Sequence, residues 1–323
     1  MKIKKTCYFL LKVIVLLFVF AGAKSNSFPA LEEGLTVTGD SSILIPVPGG
    51  TYTQTDGTNS FSHTISAFEI GKYEVTYELW YTVYRWAVAS GYKFANEGSE
   101  GYDGSVNAPP TESKDEPVTM VSWRDVIVWC NAYSQKSGLT AVYFSDAAFT
   151  KPLRDSSNEM YGAGVTTTAG SCDNPYVDWK ANGYRLPTEG EWQYAASYKD
   201  GSGWTPYNYA SGATAEFKDK AATGLAAWYS KNSKGETQAA GGKKSNALGI
   251  FDMSGNAYEL CWDWYGGYPG TATDYRGPAA GLYRVIRGGG YDYDADAMQV
   301  GLRSFSNPYT GYSSFGFRFA RSM

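Results

Sequence analysis

The sequence predicts an α+β fold with long loop insertions. Hydrophobic residues make up 43% and charged residues 19% of the 323 residues, so the chain can build a large core. Apolar residues recur at helical spacing in three segments, and short apolar runs bounded by turn residues precede and follow them. The 37 glycines, with aromatic residues at 16%, indicate irregular loops pinned by aromatic clusters.

The first 23 residues are predicted to be a signal peptide. Lys2, Lys4 and Lys5 precede an apolar run that is short for a membrane span. Ala21-Gly22-Ala23 fits a cleavage site for secretion. Phe20-Ala21-Gly22 also resembles a bacterial lipobox, with Ala23 where a lipidated Cys would stand. Export is therefore expected, either as a secreted protein or as a cell-surface or outer-membrane lipoprotein.

A flexible tether is expected over 24–42, followed by a single domain over 43–323. In this domain Ile43–Gly50 and Phe68–Val75 are typical of strands. Thr76 caps a predicted helix that runs to about Ser90. A second helix begins at Ser122 and ends at Gly138.

The second half of the domain is predicted to hold one more helix and several short strands. Thr188-Glu189-Gly190-Glu191 is a capping box that opens a third helix. The region Gly201–Asn246 is Gly-rich and predicted to be irregular. Short strands are expected around Val285–Arg287 and Gly316–Phe319. No internal repeat or linker divides the chain.

Charge and residue types exclude several functions. The formal charge is −4, and loss of the four lysines of the leader brings the mature chain to about −8, which disfavours nucleic acid and anionic lipid. A membrane is therefore expected only through the lipid anchor. The single histidine, His63, excludes most His-based metal sites and catalytic triads. The odd number of cysteines after Cys7 leaves excludes a disulfide framework.

Two chemical motifs are incomplete. Gly241–Ser245 lacks the spacing and ending of a phosphate-binding loop. Asp292, Asp294 and Asp296 fall at the first odd positions of an EF-hand loop, but Ala297 and Arg303 stand where Gly and Glu are needed. These aspartates are expected to be solvated or to face a ligand.

Four segments and a closing motif occur in the order typical of one family. They are Val121–Asp125, Gly183–Ala196, Asn246–Leu260 and Arg284–Gly290, closed by Gly316–Arg318. In these segments the chain resembles the formylglycine-generating enzymes, or sulfatase-modifying factors, from about Ile43 to Arg321. The resemblance implies a C-type-lectin-like fold of the formylglycine-generating-enzyme type, with long loop insertions. The residues alone favour structural roles for Glu189 and Glu191.

The resemblance also indicates which family chemistry is missing. The family's catalytic cysteine pair aligns with Tyr293 and Met298, and neither is a thiol. Cys130, Cys172 and Cys261 lie elsewhere, so we expect no soft ligand for copper and no sulfur nucleophile. No catalysis is therefore expected.

A family calcium site is the one cofactor that the resemblance implies. Its ligands would be the side chains of Asp252 and Glu259 and the backbone carbonyls of Gly255 and Ala257. All four are compatible with an oxygen cage for Ca²⁺. The alternative is a turn held only by the hydrogen bonds of Asp252 and Glu259.

The C-terminal segment 290–315 carries a second resemblance. It is similar to the variable regions of retroelement-diversified proteins, above all the treponemal variable proteins, in which randomised adenines of Asn codons can give Tyr, Asp, Ser, Thr, Phe, Leu, Gly or Ala. Sixteen positions hold such residues and are predicted to bind ligand: Tyr291, Asp292, Tyr293, Asp294, Asp296, Leu302, Ser304, Phe305, Ser306, Asn307, Tyr309, Thr310, Tyr312, Ser313, Ser314 and Phe315. Met298–Gly301, Arg303 and Pro308 are predicted to be framework.

The residue types favour a binding surface, and the sixteen positions are expected to form one exposed, contiguous face. Tyr and Phe give large contact area at low rotamer cost, while Ser, Asn and Asp give adaptable hydrogen bonds. The predicted function is a surface-displayed protein that binds an unknown extracellular protein or glycan. Three alternatives remain: a sulfatase-modifying-type enzyme with relocated chemistry, a carbohydrate-binding lectin, or a Tyr- and Ser-rich surface without a ligand.

Overall fold

A computed structural model describes residues 44–157 and 164–323. The predicted signal peptide (1–23) and tether (24–42) lie outside the described residues. Within the described ranges, the helices are too short or too polar for any of them to span a bilayer.

The described chain is an α+β fold of short elements. The helices are α1 (Tyr77–Ala89), α2 (Trp123–Lys136), α3 (Glu189–Ser197) and α4 (Lys220–Ala226), with a 3-10 helix at Ala295–Met298. The strands are β1 (Leu44–Val47), β2 (Gly50–Thr55), β3 (Ser60–Ile65), β4 (Phe68–Gly71), β5 (Ser99–Glu100), β6 (Val118–Thr119), β7 (Tyr143–Phe144), β8 (Tyr176–Val177), β9 (Tyr184–Arg185), β10 (Tyr258–Trp264), β11 (Ala272–Thr273), β12 (Arg284–Arg287), β13 (Ser304–Ser306), β14 (Phe315–Gly316) and β15 (Ala320–Ser322).

The helix starts that the caps predict are confirmed. The Thr76 hydroxyl accepts a hydrogen bond from the Leu79 N–H at the start of α1. Ser122 and Asp125 form a reciprocal capping box at α2, although the third residue of that helix is Asp rather than Glu. The box at α3 pairs Thr188 with Glu191 in the same way. Each cap satisfies backbone N–H groups that have no partner inside the helix.

Three sheets organise the strands. The first has the order β1-β4-β15-β9, so the C-terminal strand lies between strands from the start and the middle of the domain. The second has the order β13-β12-β10-β14, with β14 parallel to β10 and the other pairs antiparallel. The third has the order β11-β3-β2. The second sheet carries the predicted binding segment on its two edges.

An aromatic core fixes the C-terminal motif. Trp80 of α1 stacks on Trp129 of α2 at 5.6 Å between ring centroids. The edge of Phe317 packs against both indoles, at 6.0 and 5.3 Å. Phe319 packs against Tyr133 at 5.5 Å. The residues that follow the predicted variable region are therefore buried in the centre of the domain.

One helix contradicts the sequence prediction. The region 201–246 was expected to be irregular, yet Asp219 caps α4 by accepting from the N–H groups of Ala221 and Ala222. Gly224 and Thr223 weaken its helical signal, and its seven residues span only two turns. Packing of Ala226 against the 3-10 helix, rather than propensity, stabilises it.

Candidate functional site

Buried arginines hold the middle of the predicted binding segment. Arg287 in β12 is fully buried and donates to the backbone carbonyls of Val300, Gly301 and Leu302 at 2.6, 3.1 and 2.5 Å. These contacts fix a stretch of irregular backbone by its carbonyl groups alone. The side chains of that stretch remain free to differ without loss of these bonds.

A second arginine ties the same stretch to α3. Arg303 binds Glu189 through two hydrogen bonds, Nε to Oε1 at 2.6 Å and Nη2 to Oε2 at 2.7 Å. Both side chains are largely buried, and the guanidinium also lies 4.3 Å from the Tyr268 ring centroid. Glu189 and Arg303 thus both act in the framework. Sequence reasoning did not find their pairing, since 114 residues separate them.

The sixteen predicted binding residues differ in exposure. Seven are exposed and five are half-buried in the structure. The exposed ones are Asp292, Tyr293, Asp294, Asp296, Leu302, Phe305 and Tyr312, and the half-buried ones are Ser304, Asn307, Tyr309, Thr310 and Ser313. The expectation of exposure is wrong for Tyr291, Ser306, Ser314 and Phe315, which are buried. Phe315 and Ser306 lie in strands, where sheet pairing and neighbouring rings cover them.

One group of aromatic side chains gathers around Tyr258 at the start of β10. Tyr293 meets the Tyr258 ring edge-on at 4.9 Å, and Phe315 does so at 5.9 Å. Tyr312 lies 4.7 Å from Phe315. We call these four residues the Tyr258 cluster. It places two exposed tyrosines, Tyr293 and Tyr312, on a buried aromatic base.

A second group surrounds Phe305 in β13. This ring lies between Tyr265 and Tyr283, at centroid distances of 4.8 and 4.9 Å. All three rings are exposed by more than a third. We call them the Phe305 cluster. Tyr265 and Tyr283 were missed by sequence reasoning, because only sheet pairing brings them beside the predicted residue.

The two clusters lie on opposite edges of the second sheet. Strands β13 and β14 are separated by β12 and β10, which corresponds to about 14 Å at the usual strand spacing. The segment 307–314 connects them and is held by backbone bonds from Arg124 N–H to Pro308 and from Met120 N–H to Tyr312. The single contiguous face that was expected is thus two aromatic patches joined by a loop.

The predicted calcium ligands form a buried, highly charged cluster. Glu259 accepts from Arg318 Nε at 2.7 Å, from Arg318 Nη2 at 2.6 Å and from Trp192 Nε1 at 2.7 Å. Asp252 Oδ2 accepts from the Gly241 N–H at 2.6 Å, whereas its Oδ1 is buried with no hydrogen-bond partner. Glu74 accepts from the Ala257 N–H at 2.9 Å.

Negative charge exceeds positive charge in this cluster. Burial raises the pKa of Asp252 to about 6, against a lowering by the Gly241 N–H and the Arg318 guanidinium. Burial, followed by the charges of Asp252 and Glu259, raises the pKa of Glu74 well above its usual value. A bound cation would relieve this excess.

The donor set fits a calcium ion in its oxygen chemistry. Asp252 Oδ1 has no partner, and Glu259 Oε1 accepts only one bond, so both retain lone pairs. Bound Ca²⁺ would add positive charge beside three carboxyl groups, those of Glu74, Asp252 and Glu259. In the described part of the chain, no group of three or more His, Cys, Asp or Glu side chains is placed to hold a metal. The predicted site would rest on two carboxylates and the carbonyls of Gly255 and Ala257.

The family's thiol positions carry other side chains here. Met298 is fully buried, and Tyr293 is exposed in the Tyr258 cluster. Cys130, Cys172 and Cys261 are all buried. Burial raises the pKa of the Cys261 thiol well above its usual value and also raises that of Cys130. This environment is the opposite of the one that activates a cysteine.

These features define a C-type-lectin-like domain of the formylglycine-generating-enzyme type. Residues 31–323 match the family described as the sulfatase-modifying factor enzyme 1-like domain, and the chain belongs to this family. The fold and the family expected from the sequence motifs are confirmed.

Two relatives match most of the chain. The structure of Treponema denticola variable protein 1 superposes with a TM-score of 0.69 at 30% identity, over 87% of this chain and 95% of that one. A Paenibacillus barcinonensis protein named chaperone protein LppX is 31% identical over 88% of this chain and 90% of its own length. The formylglycine-generating enzyme of Streptomyces coelicolor is 32% identical over 45% of this chain and 48% of its own length.

Proposed function

We propose that the chain is a non-catalytic ligand-binding protein that presents its C-terminal segment 290–315 outside the cell. In this proposal the domain is a fixed scaffold, and a retroelement exchanges the residues of the segment. Export and surface attachment would follow from the predicted leader. The ligand is an extracellular protein or glycan.

The observation that carries the proposal is the division of one segment into two sets of positions. Met298, Val300 and Pro308 are buried, and Arg303 is held by Glu189. Between them, the predicted variable residues are mostly exposed or half-buried. Exchange at exposed positions usually changes stability by less than about 0.5 kcal/mol. Such a segment can therefore vary while its backbone stays fixed.

The two relatives agree with a binding role. The similar Treponema denticola protein is named a variable protein, and the Paenibacillus relative is named a chaperone. Neither name describes oxidation of a cysteine. The absence of thiols at the family's two cysteine positions supports a non-catalytic role as well. Tyr293 and Met298, which occupy these positions, offer neither a thiolate ligand for copper nor a sulfur nucleophile.

A library experiment tests the scaffold role. The twelve exposed or half-buried positions would be randomised with adenine-mutagenised Asn codons and the proteins displayed on yeast. We expect most clones to fold, and selection against lysozyme as a model target to yield binders. A matched library randomises twelve core positions, including Trp192 and Phe317, and should give almost no folded clones. If the two libraries lost equal fractions of folded clones, the proposal would be refuted.

An activity assay tests the absence of catalysis. A sulfatase-derived peptide with its Cys would be incubated with the protein and copper, with an active formylglycine-generating enzyme as the positive control. Mass spectrometry should show unmodified Cys with this chain. Catalytic conversion to formylglycine would establish the alternative of relocated chemistry. A reverse transcriptase gene beside a near-copy of the 3′ coding region would support diversification.

A further inference from the structure

A cavity of about 390 Å³ lies beside the 3-10 helix, and no residue of either aromatic cluster lines it. Three lysines contribute to its lining, Lys218, Lys220 and Lys231. Two predicted variable residues, Asp294 and Asp296, contribute to it as well. We call it the lysine cavity. It combines a basic part from the scaffold with an acidic part from the segment 290–315.

Contacts around α4 fix the two parts of the cavity relative to each other. The Ser230 hydroxyl donates to Asp294 Oδ1 at 2.7 Å, and the Ser230 N–H donates to the Tyr293 carbonyl at 2.9 Å. Ala226 and Tyr229 pack with Ala295 and Met298 in a small apolar core. The backbone bond and the apolar core do not involve the side chains at 294 and 296, so they still position the cavity when these side chains change.

No direct ion pair neutralises the three lysines in the described part of the chain. All three are exposed, and none forms an ion pair within 4 Å in the ranges that the structure describes. Asp294 instead accepts from a neutral hydroxyl. Three unpaired ammonium groups around one concavity create a positive potential that attracts anions. The two aspartates reduce this potential.

We infer that the lysine cavity is a subsite for an acidic oligosaccharide, and that positions 294 and 296 set how acidic a ligand it accepts. Carboxylate or sulfate groups of the sugar would bind the lysines through charge-assisted hydrogen bonds. Sugar hydroxyls would donate to the aspartates, and Phe217 in the lining would cover a C–H face. The cavity volume lies within the usual range for small ligands, roughly 300–1,000 Å³.

The inference rests on the proposed function only in treating positions 294 and 296 as exchangeable. The ligand class itself comes from Lys218, Lys220 and Lys231, which belong to the scaffold. Replacement of both aspartates by Asn, the residue of the template codon, would leave the lysines without opposing charge. The cavity would then favour strongly anionic sugars.

The test uses a hyaluronan tetrasaccharide as the probe and calorimetry at low salt. The double variant Asp294→Asn/Asp296→Asn should bind it at least about tenfold more tightly than the wild type, since two repulsive charges are removed. Adding Lys218→Ala, Lys220→Ala and Lys231→Ala should abolish this gain. The matched control changes Lys151, Lys180 and Lys199 to Ala, which are exposed and do not line the cavity. It should retain the gain.

The outcomes distinguish failure of the lysine cavity from failure of the proposed function. A folded double variant that binds no more tightly than wild type would overturn the lysine cavity as an acidic-sugar subsite. If both lysine triplet variants lose the gain in affinity equally, the attraction is non-specific, and the lysine cavity is overturned as well. A double variant that fails to fold would count against the proposed function instead. In that case the single variant Asp296→Asn, at an exposed position, should still bind about threefold more tightly.

Discussion

Arginine and aromatic residues occupy opposite environments in two neighbouring regions of this chain. Arg284, Arg287 and Arg318, in the motifs on either side of the predicted variable segment, are at most 1% exposed. Within the segment, Tyr293 and Tyr312 are each 43% exposed. Charged side chains are usually outside and large aromatic side chains are usually inside.

The difference shows which residues the fold requires. The buried arginines bind specific partners: carboxylate oxygens for Arg318, and backbone carbonyls for Arg284 and Arg287. Removal of one partner leaves a buried charge or carbonyl without its bond, which is costly. The exposed tyrosines have mainly ring contacts with their neighbours. The framework can therefore stay fixed while the segment changes.

The largest expected effect comes from Arg318. Arg318→Ala leaves Glu259 buried without its cation, and the free energy of unfolding should fall by about 3–5 kcal/mol in urea titrations. The matched control is Arg321→Ala, three residues later. Arg321 pairs with Glu69, and both side chains are at least 20% exposed, so its loss should cost less than about 1 kcal/mol. Similar losses in the two variants would remove the distinction between the framework and the surface.

The next effect separates two phenylalanines within the segment. Phe315 is 7% exposed and Phe305 is 48% exposed. Phe315→Ala should lower the free energy of unfolding by about 3 kcal/mol, as a buried truncation. Phe305→Ala should lower it by about 1 kcal/mol or less, since only exposed ring contacts are lost. Tyr293→Ala and Tyr312→Ala should behave like Phe305→Ala.

A larger loss of stability for Phe305→Ala than for Phe315→Ala would contradict the division of the segment into exposed and buried positions. A severe loss for Phe305→Ala, comparable to that of the buried control Trp192→Ala, would make the Phe305 cluster part of the core. A negligible loss for Phe315→Ala would return this position to the variable set.

Calcium removal tests the carboxylate cluster of the framework. If Asp252 and Glu259 bind Ca²⁺, a hundredfold excess over Kd stabilises the fold by about 2.7 kcal/mol. Chelation should therefore lower the melting temperature of the wild type and leave that of Asp252→Ala unchanged. An unchanged wild-type melting temperature, with no calcium in elemental analysis, would favour the turn held by hydrogen bonds alone.

The last of these effects concerns pH. His63 is buried, and its Nε2 accepts from the Tyr275 N–H at 2.9 Å while Nδ1 pairs with Gln54 Oε1 at 2.7 Å. Burial lowers the pKa of His63 to about 4, against a raising by Asp274 and Glu191. The folded state thus binds fewer protons than the unfolded state between about pH 6.5 and 4. The free energy of unfolding should therefore fall as the pH drops through this window.

The single histidine makes this prediction specific. A His63→Gln variant should lack the histidine part of the loss, while the carboxyl groups still contribute theirs. In the wild type, imidazole NMR signals can come only from His63. They should titrate below pH 5, and a midpoint near 6.5 would show that the ring is solvated.

Local signals in the sequence predicted much of the fold. Thr76, Ser122 and Thr188 each begin a helix, because a capping residue acts on N–H groups two or three positions away. The four ordered motifs identified the family before any contact was known. The α4 helix was missed, since it is short and its stability comes from packing against Ala295 and Met298.

The candidate site was predictable only in part. The residue types identified the segment 290–315 as a candidate binding region. They do not distinguish its exposed positions from its buried ones. Phe305 and Phe315 are the same residue type and both lie in edge strands, and only tertiary packing decides that Phe315 is buried while Phe305 stays exposed. The Arg303–Glu189 pair and the lysine cavity join residues that are far apart in the chain.

The sequence by itself determined the family, the absence of the thiol pair and the set of candidate binding residues. These depend on residue identity and on interactions within a few positions. The tertiary structure decided which candidates are exposed, that they form two aromatic clusters, and that three scaffold lysines meet Asp294 and Asp296. Burial and electrostatic potential are sums over neighbours in space, and most of those neighbours are distant in the sequence.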